Sequence, residues 1–221
     1  MTSIKRILLD ILDFEQSKEN NEIEKCFIYY DEENIMQIYV MIIGPEDTPY
    51  SNGFYIFQFD FPSTYPQKPP KVKFLTTNNG TIRFHPNLYQ NGKVCLSILG
   101  TWTGPQWSPV MTLKSIILCL QSILTINPLK NEPGYEHIDL DSIQNINYNI
   151  HIYYYNIQYA IIEQIKQSSS VFYNIMNKYF KENESIYKSQ LSLIKQKFPE
   201  KLMIKTIYNF QQYLDFSNLS Y

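Results

Sequence analysis

The 221-residue sequence has no surplus of positive charge: 19 Lys+Arg stand against 21 Asp+Glu, for a net charge of -2. A basic field broad enough to hold a phosphate backbone is therefore missing, and nucleic acid is not expected as the main partner. Cysteine is scarce too. Cys26, Cys95 and Cys119 form no CxxC pair and leave an odd thiol, which argues against a disulfide framework or a zinc site and fits a reducing compartment. Long apolar runs are also lacking, since nothing approaches the ~20 apolar residues of a membrane-spanning helix. The N-terminal MTSIKRILLDILDFE is broken by Lys5, Arg6 and Asp10, which spoils it as a signal-peptide core. No membrane partner is expected, and cytoplasm or nucleus follows by default.

What is present suits a folding chain, with 44% hydrophobic and 18% charged residues, far from the profile of a disordered segment. Its length suits one packed domain with an extension. Ile4, Ile7, Leu8, Ile11 and Leu12 recur at helical spacing behind Thr2 or Ser3 as a cap, with Lys5, Arg6 and Asp10 off the stripe. Segments 24–30, 35–43 and 54–61 read as three strands of an antiparallel meander, with Tyr55, Phe57, Phe59 and Phe61 alternating onto one face. A fourth strand, 71–75, follows FPSTYPQKPP, whose prolines forbid helix or central strand. Leu113, Ile116, Ile117, Leu120, Ile123 and Leu124 mark a second helix, capped by Thr112 and stopped at Asn127-Pro128, with Leu118 off its apolar face. Beyond Glu136 the chain is rich in Ile, Asn, Tyr and Lys, with helical patterns around 148–166, 171–180 and 185–198.

Between the fourth strand and the second helix, 77–110 shows little periodicity, and a loop that long in a compact domain is usually functional. It contains HPNLYQNGKVCLSILGTWTGPQWSP, 85–109. Taken singly, a cysteine is usually a small buried hydrophobe and an asparagine a turn former; Cys26 and Cys119 keep that plain reading. The whole segment, however, resembles the active-site stretch of ubiquitin-conjugating (E2) enzymes. The shared features are the His-Pro-Asn turn, a cysteine in a Gly-x-Val-Cys-Leu setting and a downstream Trp-Ser-Pro. GPEDTPYSNGFYIFQFDFP and YPQKPPKVKF are similar to the family's strands and proline-rich connection. The extra residues between Cys95 and Trp107, and NEPGYE after the second helix, look like the Z-type E2, which is loaded by the alternative ubiquitin-activating enzyme. They look more loosely like the E2 modules of very large hybrid ligases.

The resemblance implies an α+β ubiquitin-conjugating (UBC) fold: N-terminal helix, four-stranded antiparallel meander sheet, central helix and C-terminal helices. It implies a catalytic core over 1–167 and a helical extension over 168–221. The implied activity takes ubiquitin or a ubiquitin-like modifier from an E1 activating enzyme as a thioester on Cys95 and passes it to a lysine of a protein substrate or to an E3 ligase. A thiol suits this work because it is nucleophilic even when only a few per cent is thiolate, and its ester stays reactive toward amines. ATP is consumed by the E1, and no metal or organic cofactor is implied. In this reading the Cys95 sulfur is reachable beside the Asn87 amide in a strained loop, and that amide stabilises the tetrahedral oxyanion. His85 is either a base or, more simply, a buttress of its turn.

Where many E2s carry an Asp two residues after the cysteine, this chain has Ser97. Glu132 is the nearest match to the family's second acidic gate residue, which orients the incoming amine. Lys5 and Arg6 are implied contacts for E1 and E3, while Gln67, Ser108, Pro109 and Val110 are implied contacts for E3. Gln67 replaces an aromatic residue common in E2s that pair with RING ligases. Leu118 is a candidate contact for the donor ubiquitin, and Trp102 and Trp107 are expected as core and loop anchors. Two rivals stand beside this reading. One is a catalytically inactive E2-like ubiquitin-binding module, a type that lacks the cysteine. The other is a cysteine hydrolase drawing on His85, His137 or His151 as base.

Overall fold

The computed structural model describes residues 2–221. Helix α1 (Ser3–Glu19) starts at Thr2, whose hydroxyl accepts the Lys5 N–H as an N-cap. Strands β1 (Cys26–Asp31), β2 (Asn34–Ile43), β3 (Phe54–Asp60) and β4 (Lys71–Phe74) form a sheet in the order β1-β2-β3-β4. The β1–β2 and β3–β4 pairs are antiparallel, with Tyr29 opposite Tyr39 and Phe57 opposite Phe74. The four-stranded meander read from the pattern is present. In β3 the expected alternation holds only at its C-terminal half, because Phe54, Tyr55, Ile56 and Phe57 are all buried. Both faces of the sheet are covered there.

The chain divides into two compact units, one running to Ile43 and resuming over Tyr55–Leu124, the other made of Gly44–Phe54 and Thr125–Tyr221. In the first unit, aromatic rings dominate the core: Phe57 lies 5.1 Å from Phe74 and Tyr55 packs edge-on against Phe84 at 5.4 Å. Helix α2 (Leu113–Ile123) is closed at its start by a reciprocal capping box between Thr112 and Ser115, and its Leu113, Ile116, Ile117 and Leu120 are fully buried.

Helix α1 faces the core differently from the stripe expected for it. Ile7, Ile11 and Phe14 are buried together with Asp10, whereas Ile4, Leu8 and Leu12 are exposed. Burial of a carboxylate is tolerable only when it is fully hydrogen-bonded. Asp10 accepts from Arg6 Nε at 2.8 Å, from the Leu113 N–H at 3.2 Å and from the Tyr65 hydroxyl. One negative side chain thus ties α1 to the N-terminus of α2, where the helix dipole favours it.

The second unit holds α3 (Ile143–Tyr155), which continues through π-helical Asn156–Glu163 into α4 (Gln164–Lys166), then α5 (Tyr173–Glu182) and α6 (Glu184–Lys197). The region expected to be wholly helical beyond residue 168 also contains a hairpin, β5 (Leu202–Lys205) and β6 (Gln211–Leu214). Its turn places Asn209 at φ 61, a conformation asparagine tolerates better than most side chains. Ile150, Ile157, Ile162, Ile194, Ile204 and Phe216 form this unit's core cluster.

Candidate active site

The loop after β4 owes its position to Gly92. At φ +87, with a hypothetical Cβ only 2.8 Å from Phe74 O, no other residue fits without a shift. That close approach lets the Phe74 N–H donate to Gly92 O at 2.8 Å and opens isolated bridges from Lys73 to Lys93 and from Val94 to Leu88. Cys95 therefore leaves a short, pinned ladder rather than a free loop.

Opposite it stands the His-Pro-Asn turn. The Asn87 N–H donates to His85 Nδ1 at 3.0 Å, and the Leu88 N–H to His85 O at 3.0 Å. His85 is fully buried, and that burial lowers its pKa to about 3, opposed by a backbone hydrogen bond at Ile123 and helped by the nearby Arg83 charge. An imidazole that accepts a backbone N–H through Nδ1 and cannot hold a proton near neutrality is not a general base. Of the two roles open to His85, the hydrogen bond from the Asn87 N–H fits the buttress.

Asn87 and Cys95 are joined twice. The Cys95 N–H donates to Asn87 O at 2.9 Å, and Asn87 Nδ2 donates to Cys95 O at 2.7 Å. The side-chain amide completes the pairing that a strand partner would otherwise make. Its Oδ1 is buried without a hydrogen-bond partner, so the amide is held by its donor alone.

Two features of the sulfur's setting differ from expectation. Cys95 is only 1% exposed, so the nucleophile is covered rather than reachable. After Cys95 the chain makes a 3-10 turn, Ser97–Leu99, and doubles back. The Thr101 hydroxyl accepts the Leu96 N–H at 3.0 Å and shares its proton between Val94 O at 2.8 Å and Leu96 O at 3.1 Å, gripping the backbone on both sides of Cys95. Gly104 approaches Ser97 so closely that a Cβ there would meet Ser97 Cβ at 3.1 Å. Nor is the chain strained next to Cys95: within 81–112 the left-handed positions, Gly92, Gly100 and Gly104, are all glycines, and the loop's positive-φ asparagines, Asn78 and Asn79, lie at its start.

Burial pushes Cys26 up to about 12 and also raises Cys119, which suits inert side chains.

Around α1 the structure brings several predicted partner residues together and changes the meaning of one. Arg6 is not a solvent-facing charge, because its side chain is 12% exposed and donates to Asp10, Pro109 O and Met111 O. The Trp107 indole donates to Pro66 O at 2.6 Å, anchoring the proline-rich loop as expected. Trp102, by contrast, is exposed and anchors no core. Lys5, Gln67 and Pro109 are exposed, Ser108 is half-buried, and Val110 is 82% exposed beside the Arg6 contacts. On α2, Leu118 is 42% exposed, an isolated apolar side chain on that helix's outer side. Ser97, second after the cysteine, is half-buried at the start of its turn.

Glu132 belongs to the second unit, where it ends the 3-10 turn Pro128–Asn131 and accepts the Tyr208 hydroxyl at 2.6 Å. The other two histidines also lie in that unit, His137 exposed and His151 buried and stacked between the rings of Tyr148 and Phe210. Thr101, Asp10 and Tyr208 were not singled out by sequence, since their roles rest on hydrogen bonds that leave no local pattern. Among the described residues no group of His, Cys, Asp and Glu could hold a metal ion, and no helix is long and apolar enough to cross a membrane.

With a covered cysteine braced by an asparagine and a neutral histidine on a four-stranded meander, the comparison with known families is direct. The sequence profile described as ubiquitin-conjugating enzyme matches residues 6–152, and the chain belongs to that family. Within it the chain falls with the Z-type sequences. It is 45% identical over 166 residues to ubiquitin-conjugating enzyme E2 Z of Xenopus tropicalis, covering 74% of this chain and 53% of that protein. The Homo sapiens E2 Z is 46% identical over 140 residues, covering 63% of this chain and 39% of that protein. The dual E2 ubiquitin-conjugating enzyme/E3 ubiquitin-protein ligase BIRC6 of Homo sapiens is 40% identical over 162 residues, 70% of this chain and 3% of that protein. The chain thus spans about half the length of the Xenopus E2 Z it matches.

Proposed function

We propose that this chain accepts ubiquitin, or a ubiquitin-like modifier, from an E1 as a thioester on Cys95 and transfers it to a lysine or to an E3. In the first step the Cys95 thiolate attacks the E1 thioester carbonyl, and the E1 thiolate leaves. In the second an unprotonated lysine amine attacks the Cys95 thioester, Cys95 leaves as thiolate, and the amine's proton passes to solvent. Both steps run through a tetrahedral oxyanion, and it is in the second, on the Cys95 thioester, that the Asn87 amide is the preplaced donor.

The observation that carries this reading is the double hydrogen bond between Asn87 and Cys95. It holds a donor beside the acylated residue, in a turn braced by a neutral His85. Freeing Nδ2 for the oxyanion costs one hydrogen bond to a main-chain carbonyl, about 1 kcal/mol. Glu132 then serves as the acid that orients the incoming amine. Because Cys95 is covered at rest, loading requires its sulfur to be uncovered. The surface around Lys5, Gln67, Ser108, Pro109 and Val110 receives E1 and E3, and Leu118 receives the donor ubiquitin. The hydrolase reading finds little support in His85, whose Nδ1 is already engaged by the Asn87 N–H and whose burial disfavours the protonated form. A ubiquitin-binding module without activity fits poorly with a cysteine retained in its full setting.

Incubation with E1, ATP and ubiquitin followed by a non-reducing gel tests the proposal. A thiol-sensitive adduct is expected, replaced by a stable ester in Cys95→Ser and lost in Cys95→Ala. Loading that survives Cys95→Ala, or release of free ubiquitin from conjugates with no E1 present, overturns it. Running two E1 enzymes in parallel tests the Z-type preference, and equal loading by both counts against it.

A further inference from the structure

The second unit's C-terminal hairpin has no counterpart in the chemistry described so far, yet it delivers one polar atom to Glu132. Tyr208, in the turn between β5 and β6, donates its hydroxyl to Glu132 Oε2 at 2.6 Å, across 76 residues of sequence. That distance is typical of a charge-assisted O–H···O⁻ bond. The hairpin is well secured to α3. Asn147 Nδ2 donates to Lys205 O at 3.2 Å, and the Tyr155 hydroxyl donates to Gln212 Oε1 at 2.9 Å. The Tyr208 ring stands edge-on to the fully buried Tyr148 at 5.7 Å. A side chain with two χ angles, packed on one ring and mounted on an anchored turn, holds its hydroxyl with little freedom.

Glu132 is half-buried and caps a short 3-10 turn with extended backbone, φ -91 and ψ 130, and the Tyr208 hydroxyl is one of the contacts that steer its carboxylate. We infer that Tyr208 is a positioning residue for transfer: the C-terminal hairpin orients the Glu132 carboxylate through this hydrogen bond. The inference rests on the proposed role of Glu132 in guiding the amine.

The test is single-turnover discharge of the full-length, ubiquitin-loaded protein onto free lysine, with lysine concentration varied. Tyr208→Phe keeps the ring on Tyr148 and removes only the hydroxyl. Discharge is expected to slow by about tenfold or more, the scale of one hydrogen bond to a charged group, with the loss concentrated in the apparent lysine KM. Glu132→Gln is expected to slow discharge at least as much, and Tyr208→Phe is expected to add nothing to it in the double variant, as required of a group acting through Glu132. Tyr221→Phe supplies the control, because it removes another hydroxyl from the same extension, one buried without a hydrogen-bond partner, and is expected to discharge at the parental rate. Should Glu132→Gln discharge at the parental rate, the gate role of Glu132 falls and this inference falls with it. A slow Glu132→Gln beside an unaffected Tyr208→Phe, or losses that multiply in the double variant, would sink the inference alone and leave that role standing.

Discussion

The stretch from 85 to 101 and the stretch from 143 to 216 are held together by opposite means. The first has one short 3-10 turn, Ser97–Leu99, as its regular structure, and is specified by side chains that take the place of main-chain partners. His85 accepts from Asn87, Asn87 donates to Cys95, and Thr101 bridges Val94 and Leu96. In the second, helices and a hairpin satisfy their own backbones, and the side chains mainly fill volume: Ile157, Ile162 and Ile204 pack with Phe216, whose ring stands against Tyr154 and Phe198. A hydrogen bond that replaces a strand partner admits one residue type, or nearly so. A packed volume admits several, provided size and patterning are kept. Chemistry is placed on the first kind of scaffold, where each atom's position is dictated by a particular neighbour.

The strongest way to break this contrast is Asn87→Ala. If the amide acts on the oxyanion, lysine discharge of the Cys95 thioester should fall on the order of 100-fold, matching about 3 kcal/mol for loss of one such donor, with loading by E1 reduced much less. Equal losses in both steps, measured by single-turnover gels, would mean that Asn87 serves only to hold Cys95 O.

The next effect is on stability. His85 in the folded chain is lowered to about 3 by burial, while an unfolded histidine titrates near 6.5. The folded state therefore stays neutral where the unfolded state takes up a proton. Stability from this group is complete above about pH 6.5, declines as pH falls toward 3, and is about 2 kcal/mol lower by pH 5. Chemical denaturation at stepped pH should show that slope, and His85→Gln should flatten it. An unchanged slope would place the buried imidazole outside the acid sensitivity of the fold.

Legibility in the sequence followed the same divide. The meander and the His-Pro-Asn turn were readable because Asn87 and the proline-rich connection each leave a local signature, whereas the covering of the Cys95 sulfur was not. The orientation of α1 was not readable. Its periodicity put Asp10 among the solvent-facing charges, and only the three donors from Arg6, Tyr65 and Leu113 make its burial favourable. The partly buried hydrogen bonds of Arg6 to Asp10, Pro109 O and Met111 O were hidden for the same reason. The grip on the backbone either side of Cys95 comes from Thr101, six residues beyond it, through hydroxyl contacts that leave no local pattern. In the second unit, helical periodicity was visible for α5 and α6, but four-residue strands such as Leu202–Lys205 and Gln211–Leu214 are too short to announce a period. The Tyr208–Glu132 bond spans 76 residues, and no local pattern predicts a contact at that separation.

A matched pair of substitutions sharpens the comparison at its smallest scale. Thr101→Val conserves shape but deletes the hydroxyl that serves the Leu96 N–H and the Val94 and Leu96 carbonyls. Water can replace part of that service in an exposed loop, so about 1.5 kcal/mol is the expected loss. Ile157→Val removes a methylene group from a fully buried site in the second unit's core, which typically costs about 1 kcal/mol. The stability difference is slight, but the functional difference is not. Loosening the grip around Cys95 should raise its alkylation rate several-fold, read by mass spectrometry of the labelled peptide to separate it from Cys119, whereas Ile157→Val should leave that rate alone. If both variants label Cys95 at the parental rate, the Thr101 hydroxyl is not what keeps the thiol covered, and the closed state must depend on packing in the same way as the distant helices.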